Sequence, residues 1–197
     1  MSSAFSQLTL VKPGILTVSA IDNFMPVIYR DKNKAWQGFE VDILQTFAKR
    51  YRLKLEFKIA PFDGIWYLPK QAQCDIAAAG IAVSKRYGLE GVAFTEPYLF
   101  IRQSFLVKKI DDLKFKDQDK NSKIFSQANE VALQAFSRKA HASKKPSEFT
   151  IVEQDDTDEK FALVVADDNP SLLALLNQHI IALRDSGELE KLYTKWC

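Results

Sequence analysis

Between Ile15 and Ile81 the spacing of apolar residues switches from one period to another and back, and this switching constrains the fold more than any single motif. Ile15-Leu16-Thr17-Val18-Ser19-Ala20 is a short β-prone run, set off by Pro13-Gly14 before it and by the polar Asp22-Asn23 after it. That pattern predicts a strand leaving a turn and entering a loop. From Phe39 to Tyr51 the residues Phe39, Val41, Ile43, Leu44, Phe47 and Tyr51 recur mainly at helical spacing, with Lys49 and Arg50 at the end where the helix dipole favours cations. Leu53 to Ile59 alternates Leu53, Leu55, Phe57 and Ile59 with Lys54, Glu56 and Lys58, the period of a strand with one polar face. A weaker helical pattern over Gly64–Gln71 leads to Cys74–Ile81, a run of small and apolar residues suited to a strand buried on both faces. The order βαβαβ predicts a mostly parallel sheet with helices packed on it. Ligands of such sheets sit beyond the carboxyl ends of the strands, so the loops after the first and third strands are the candidate sites.

The rest of the chain extends the α/β pattern and narrows the function. Lys108–Lys123 is a charged stretch that reads as solvated surface. Ile124–Ser126 and Phe149–Val152 read as strands, Glu130–Lys139 as a helix, and Asp155–Glu159 as an acidic turn. Phe161–Val165 reads as a strand, Asn169-Pro170 opens a helix that stops near Gly187, and a last short helix runs to Trp196. With 197 residues, one large domain and two small lobes are both compatible with the length. A formal charge of +2 lacks the basic excess that phosphate binding exploits, so nucleic acid is not an expected partner. No window holds the apolar run of about 18 residues that a membrane span requires. The start, MSSAFSQLTLVKPG, lacks the layout of a signal peptide. For an exported protein this predicts a signal already removed, with Met1 an added initiator. Cys74 and Cys197 have neither metal-site nor disulfide spacing, and no cofactor motif is present.

The first candidate loop carries Asp22, Asn23, Phe24, Met25, Pro26 and Tyr29. Its aromatics either cover a bound solute or seal the top of the sheet. Glu40 and Asp42 fall in the first turn of the predicted helix, where attraction to the helix dipole accounts for them without a functional role. The second candidate loop is Ala79–Arg86. Gly80 and Ala82 allow a ligand to reach backbone donors and acceptors, while the Ser84 hydroxyl and the Arg86 fork suit a carboxylate. His141 and His179 have no partner at catalytic or metal spacing, and Asp63 and Asp75 flank elements rather than forming an acid–base pair.

Three stretches together resemble the periplasmic polar amino-acid-binding proteins of ABC transporters, the family 3 solute-binding proteins. They are Gly38-Phe39-Glu40-Val41-Asp42-Ile43, the segment from Gly80 through Phe94-Thr95-Glu96-Pro97-Tyr98, and the ending Asn169–Leu173 with Gly187–Trp196. The resemblance implies an α/β, two-lobed periplasmic-binding-protein-like fold (type II) with a reduced second lobe. Residues 1–103 and 161–197 would form lobe one and residues 104–160 lobe two. It implies a periplasmic monomer that closes on one amino acid or related small carboxylate and hands it to an ABC transporter permease, with no metal, cofactor or catalytic residue. By the same resemblance Phe24 stacks on the ligand side chain, and Phe62 and Trp66 supply further walls. Gly80 and Ala82 offer backbone groups, and Ser84 and Arg86 clamp the carboxylate.

The sequence departs from the family at two places. Its Thr and Arg are usually three apart, whereas Ser84 and Arg86 are two apart. The family's Gly-Thr turn is replaced by Ser126–Glu130, and after Asp158-Glu159 the chain runs directly to Phe161. That path omits the segment carrying the aspartate that pairs with the ligand amine. An unpaired desolvated ammonium predicts zwitterion binding weaker by roughly 3–5 kcal/mol. Two other readings are a repurposed sensor or partner-binding module without tight solute binding, and an enzyme similar to cyclohexadienyl dehydratases, for which the sequence offers no acid–base pair.

Overall fold

A computed structural model describes residues 8–83, 90–101, 103–108, 124–129, 149–153 and 159–197. The chain forms two compact units. The first comprises Met1–Leu99 with Lys160–Trp196, and the second, smaller one contains Phe100–Glu159.

The first unit begins with β1 (Ile15–Ala20), then three short strands, β2 (Asn23–Phe24), β3 (Ile28–Arg30) and β4 (Trp36–Gln37), which pair in order as an antiparallel meander. Helix α1 (Phe39–Arg50) follows and buries Phe39, Val41, Ile43, Leu44, Phe47 and Ala48. Each such large apolar side chain contributes about 1.5–3 kcal/mol when fully removed from water. Its entry is fixed by backbone alone: Phe39 N donates to Pro26 O at 3.1 Å and Glu40 N to Val27 O at 2.9 Å, which satisfies donors that the first helical turn leaves open. Gly38 permits that approach, since its φ is +126° and a Cβ there would lie 2.4 Å from Val27 O.

After β5 (Lys54–Ile59) the chain makes a 3-10 turn at Ile65–Tyr67, then β6 (Ile76–Ala78) and β7 (Val92–Phe94). The helix expected over Gly64–Gln71 is only this turn. Its bonds run from Tyr67 N to Gly64 O and from Leu68 N to Ile65 O, Gly64 enters in the left-handed region at φ +82°, and Pro69 has no N–H with which to extend a ladder.

The chain leaves the first unit along β8 (Leu99–Ile101). In the second unit β9 (Gln103–Lys108) pairs antiparallel with both β10 (Ile124–Asn129) and β11 (Phe149–Glu153), giving the order β10-β9-β11. The strands expected at Ile124–Ser126 and Phe149–Val152 are present, and Ser126–Asn129 belongs to β10. The expected surface over 109–123, the helix over 130–139 and the acidic residues 155–158 lie outside the described residues. The chain returns through β12 (Glu159–Phe161), β13 (Val164–Ala166), α2 (Pro170–Asp185) and α3 (Glu188–Trp196).

The run expected as one strand, Phe161–Val165, is thus split between β12 and β13. Ala162 N turns to Ile81 O at 3.1 Å while Leu163 O accepts from Thr95 N at 2.9 Å, so these residues bond to two different segments. The main sheet has the order β5-β1-β6-β13-β7. β5, β1 and β6 are parallel, as the alternation predicts, and β13 runs antiparallel to both β6 and β7. The Asn169 side chain caps α2 by accepting from Leu172 N at 3.2 Å, ahead of Pro170 in the first turn. Asp42 ties α3 to α1, accepting from Lys195 Nζ at 2.7 Å and Trp196 Nε1 at 2.8 Å.

Candidate functional site

Parallel β1 and β6 end on the same edge of the sheet, and the two candidate loops leave from that edge. Gly80, two residues beyond β6, takes a left-handed φ of +60°, and a Cβ placed on it would lie 2.3 Å from Phe24 Cε1 and 3.1 Å from Phe161 Cε2. Phe24 therefore lies against the bare backbone of Gly80, with Phe161 beside it at a ring-centroid distance of 6.1 Å. Ala82 bridges to Phe161, and Val83 N donates to Lys160 O at 2.8 Å, so the returning chain fixes the Gly80–Val83 segment. Tyr29 turns elsewhere, packing edge-on against Trp196 at 6.2 Å. The two aromatics of the first loop thus divide the alternatives: Tyr29 seals the fold, and Phe24 lies on the glycine turn.

Phe62 and Trp66 form a second pair, edge to face at 6.0 Å. Trp66 packs on the core cluster that contains Ala79 and Ile81, the neighbours of Gly80, while Phe62 remains exposed. Phe24 thus meets Gly80 directly, Ala82 follows in the same segment, and Trp66, paired with Phe62, packs on the cluster of its neighbours Ala79 and Ile81. Ser84 and Arg86 lie outside the described residues.

A charged residue sits beneath this segment. Glu40 is completely buried. Its Oε1 accepts from Gly80 N at 2.9 Å and from the Tyr98 hydroxyl in a very short hydrogen bond, whereas Oε2 is buried with no hydrogen-bond partner among the described residues. Burial pushes the carboxyl up to about 7, against the opposing pull of the Tyr98 and Gly80 hydrogen bonds. Burial and the facing Glu40 likewise push the Tyr98 phenol well above its ordinary range. Glu40 does occupy the first turn of α1, as expected, and in addition its carboxyl is bonded across the fold to Gly80 and Tyr98. A usable signal was present, because Glu40 stands four residues before Leu44 and seven before Phe47 and so falls on the apolar stripe of α1. Tyr98 and Phe161 were not expected here either, and only the pairing of the returning chain reveals them.

At the opposite end of the sheet a cavity of about 370 Å³ is lined by residues including Val11, Lys70, Cys74, Asp75 and Asn169. Asp75 there accepts from Val11 N at 2.7 Å, Thr17 N at 2.7 Å and Thr17 Oγ1 at 2.5 Å, which is structural bonding. His179 lies in the core against Phe47, with Nε2 3.0 Å from Thr46 Oγ1. Among the described residues no cluster of His, Cys, Asp or Glu can hold a metal ion, and no helix is long and apolar enough to cross a membrane. Neither Cys74 nor Cys197 is in a disulfide.

The model of the bacterial extracellular solute-binding proteins, family 3, matches residues 16–197. The Neisseria gonorrhoeae protein named "Probable histidine-binding protein" is 25% identical over 227 residues, covering 93% of this chain and 84% of that protein. That alignment is longer than the 197-residue chain, so the relative carries residues this chain lacks. The arginine-binding periplasmic protein of Mannheimia haemolytica is 29% identical over 111 residues, covering 53% of this chain and 46% of its own length. Other curated relatives are spanned over only 35% to 42% of their length. Among solved structures, an ancestral amino acid-binding protein described as a precursor of cyclohexadienyl dehydratase superposes with a TM-score of 0.73 at 21% identity, covering 93% of this chain and 95% of that one. The likeness establishes the fold as α/β, two-lobed and periplasmic-binding-protein-like.

Proposed function

This chain belongs to the bacterial extracellular solute-binding proteins of family 3, and from that premise we propose that it binds a small carboxylate-bearing solute, an amino acid, and delivers it to an ABC transporter. The observation that carries this reading is the packing of Phe24 on the unsubstituted backbone of Gly80 at the carboxyl ends of two parallel strands. An aromatic face beside a backbone turn without a side chain suits a ligand with an aliphatic or cationic body and a charged head. Phe62 and Trp66 supply walls, Gly80 and Ala82 supply backbone contacts, and Ser84 and Arg86 hold the carboxylate. Lobe one comprises residues 1–103 and 161–197, and residues 104–160 form a shortened lobe two. The protein acts outside the cytoplasm, in the periplasm, as a monomer docking on a permease.

A second reading follows from the shorter chain. The alignment longer than the chain, together with the missing acid for the ligand amine, favours a module whose solute affinity has fallen, by roughly 3–5 kcal/mol against a complete site. Calorimetric titration with L-histidine, L-arginine, L-lysine and L-cystine separates the cases. Binding of one of them in the micromolar-to-millimolar range supports an amino-acid receptor with a weakened site. Submicromolar binding refutes the weakening, and no heat from any of them at millimolar concentration refutes the receptor reading. Turnover of a cyclohexadienyl acid such as arogenate would overturn the assignment as a non-enzyme.

A further inference from the structure

The carboxyl of Glu40 is completely buried on α1. Two donors from separate segments, the Gly80 amide and the Tyr98 hydroxyl, converge on a single oxygen, Oε1. The other oxygen, Oε2, is buried without a hydrogen-bond partner among the described residues. Gly80 is the turn against which Phe24 lies, and Tyr98 directly precedes β8, the strand by which the chain leaves the first unit. Tyr98 is itself held in place: Phe39 stacks on its ring at 6.0 Å, and its backbone N donates to Phe161 O at 3.0 Å.

We propose that Glu40 is a positioning residue whose proton, carried on Oε2, sets how the Gly80 turn is held and thereby links solute binding to proton uptake or release. The proposal rests on the reading of Gly80 as a solute-contacting turn. In the neutral acid, Oε1 is a carbonyl-like acceptor for both donors, and the partnerless Oε2 carries the proton. In the carboxylate, both bonds become charge-assisted and tighten, while charge accumulates on an oxygen that nothing solvates. The two states thus grip the Gly80 amide differently. Among the described residues the titratable group facing Glu40 is Tyr98, whose phenol stays protonated through neutral pH. The Gly80 turn presents only its backbone N–H, and Asp42 on the same helix is engaged with α3. Near pH 7 both protonation states of Glu40 are populated, so a solute that favours one must shift the other. A solute ammonium docked on the turn favours the carboxylate and releases a proton, and a solute carboxylate does the reverse. A shift of one unit in the Glu40 titration corresponds to about a tenfold change in affinity between the acid and alkaline limits.

The test needs no ligand at first. Of the seven glycines, Gly80 alone follows an alanine, so labelling with carbonyl-13C alanine and 15N glycine identifies its amide in the NMR spectrum of the full chain. The expected result is a Gly80 amide shift that titrates between pH 5.5 and 8.5, and loses that titration in Glu40→Gln, which keeps an acceptor oxygen. Tyr98→Phe removes a donor that favours the carboxylate and moves the midpoint upward. An amide that does not titrate in the native chain, a titration that persists in Glu40→Gln, or a midpoint unmoved in Tyr98→Phe overturns the proposal. Calorimetry with L-arginine in two buffers of different ionisation enthalpy then reads protons exchanged on binding. A nonzero number that vanishes in Glu40→Gln supports the linkage, and an unchanged number refutes it. A chain whose Gly80 amide titrates as described but that gives no heat with any amino acid refutes the proposed function and not the hold of Glu40 on the turn.

Discussion

Replacing Gly80 by alanine tests the core of the site geometry, because two separable penalties meet at this residue. The first is conformational. At φ +60° an L-residue costs about 1 kcal/mol or somewhat more, offset by about 0.5–1 kcal/mol from the reduced freedom of the unfolded chain. The second is steric. The new methyl would stand 2.3 Å and 2.8 Å from two atoms of the Phe24 ring and 3.1 Å from Phe161 Cε2, so the Phe24 ring must move. Overpacking of this kind costs about 1–3 kcal/mol. The net expectation for Gly80→Ala is a loss of about 1–3 kcal/mol, most of it steric. Urea unfolding followed by tryptophan fluorescence measures it cleanly, since Trp36, Trp66 and Trp196 all lie in the first unit. A cycle with Phe24→Ala isolates the clash. With the ring gone, Gly80→Ala costs less by about 1–2 kcal/mol, with the contact to Phe161 remaining. A Gly80→Ala protein within about 0.5 kcal/mol of the native one, or a coupling energy below that size, refutes the placement of Phe24 against the glycine.

Further outcomes follow from other buried groups. Asp75→Ala leaves Thr17 N and Val11 N without their acceptor and lowers stability by about 2–4 kcal/mol in urea unfolding; a loss under about 1 kcal/mol contradicts the bonding. The Glu40 pKa is raised from 4.5 to about 7 in the folded chain. Its neutral form is therefore favoured by folding below pH 4.5, and about 3 kcal/mol is lost as pH rises from there through about 7. Denaturation midpoints across that window should fall in the native chain and fall less in Glu40→Gln, and parallel curves contradict it. Burial holds the His179 imidazole below its ordinary 6.5, so its contribution is present above pH 6.5 and is lost as pH falls through the depressed folded value. His179→Gln should flatten the acid side of the same stability profile. Asn169→Ala removes the cap of α2 and lowers stability by about 1 kcal/mol, measured as a fall in melting temperature.

Periodicity carried the elements whose burial has one simple pattern. The alternation of Leu53–Ile59 and the helical stripe of Phe39–Tyr51 became β5 and α1 within a residue of their expected ends, and α1 meets the core along one face. The pattern misled where long-range bonding decides. Gly64–Gln71 carries apolar residues at helical spacing, yet a left-handed Gly64 and the missing Pro69 donor allow only a 3-10 turn. Phe161–Val165 is as β-prone as any run in the chain. It breaks because Ala162 and Leu163 bond to Ile81 and Thr95, residues whose proximity no local window contains.

The same distinction explains why the aromatic and glycine of the candidate site were legible and its acid was not. Phe24 and Gly80 stand out locally, as an aromatic in a polar loop and a glycine after a buried strand. Glu40 stands in the first turn of a helix, where an acid has a sufficient local explanation. Its position on the apolar stripe required donors from elsewhere, because a buried carboxyl without them is too costly to keep. Those donors are Gly80 and Tyr98, 40 and 58 residues along the chain. One comes from the end of the parallel sheet and the other from just before the strand that leaves the unit. The acid is thus placed where the Gly80 turn and the segment leading into β8 share one oxygen. Burial raises that carboxyl to about 7, against the pull of the same two donors.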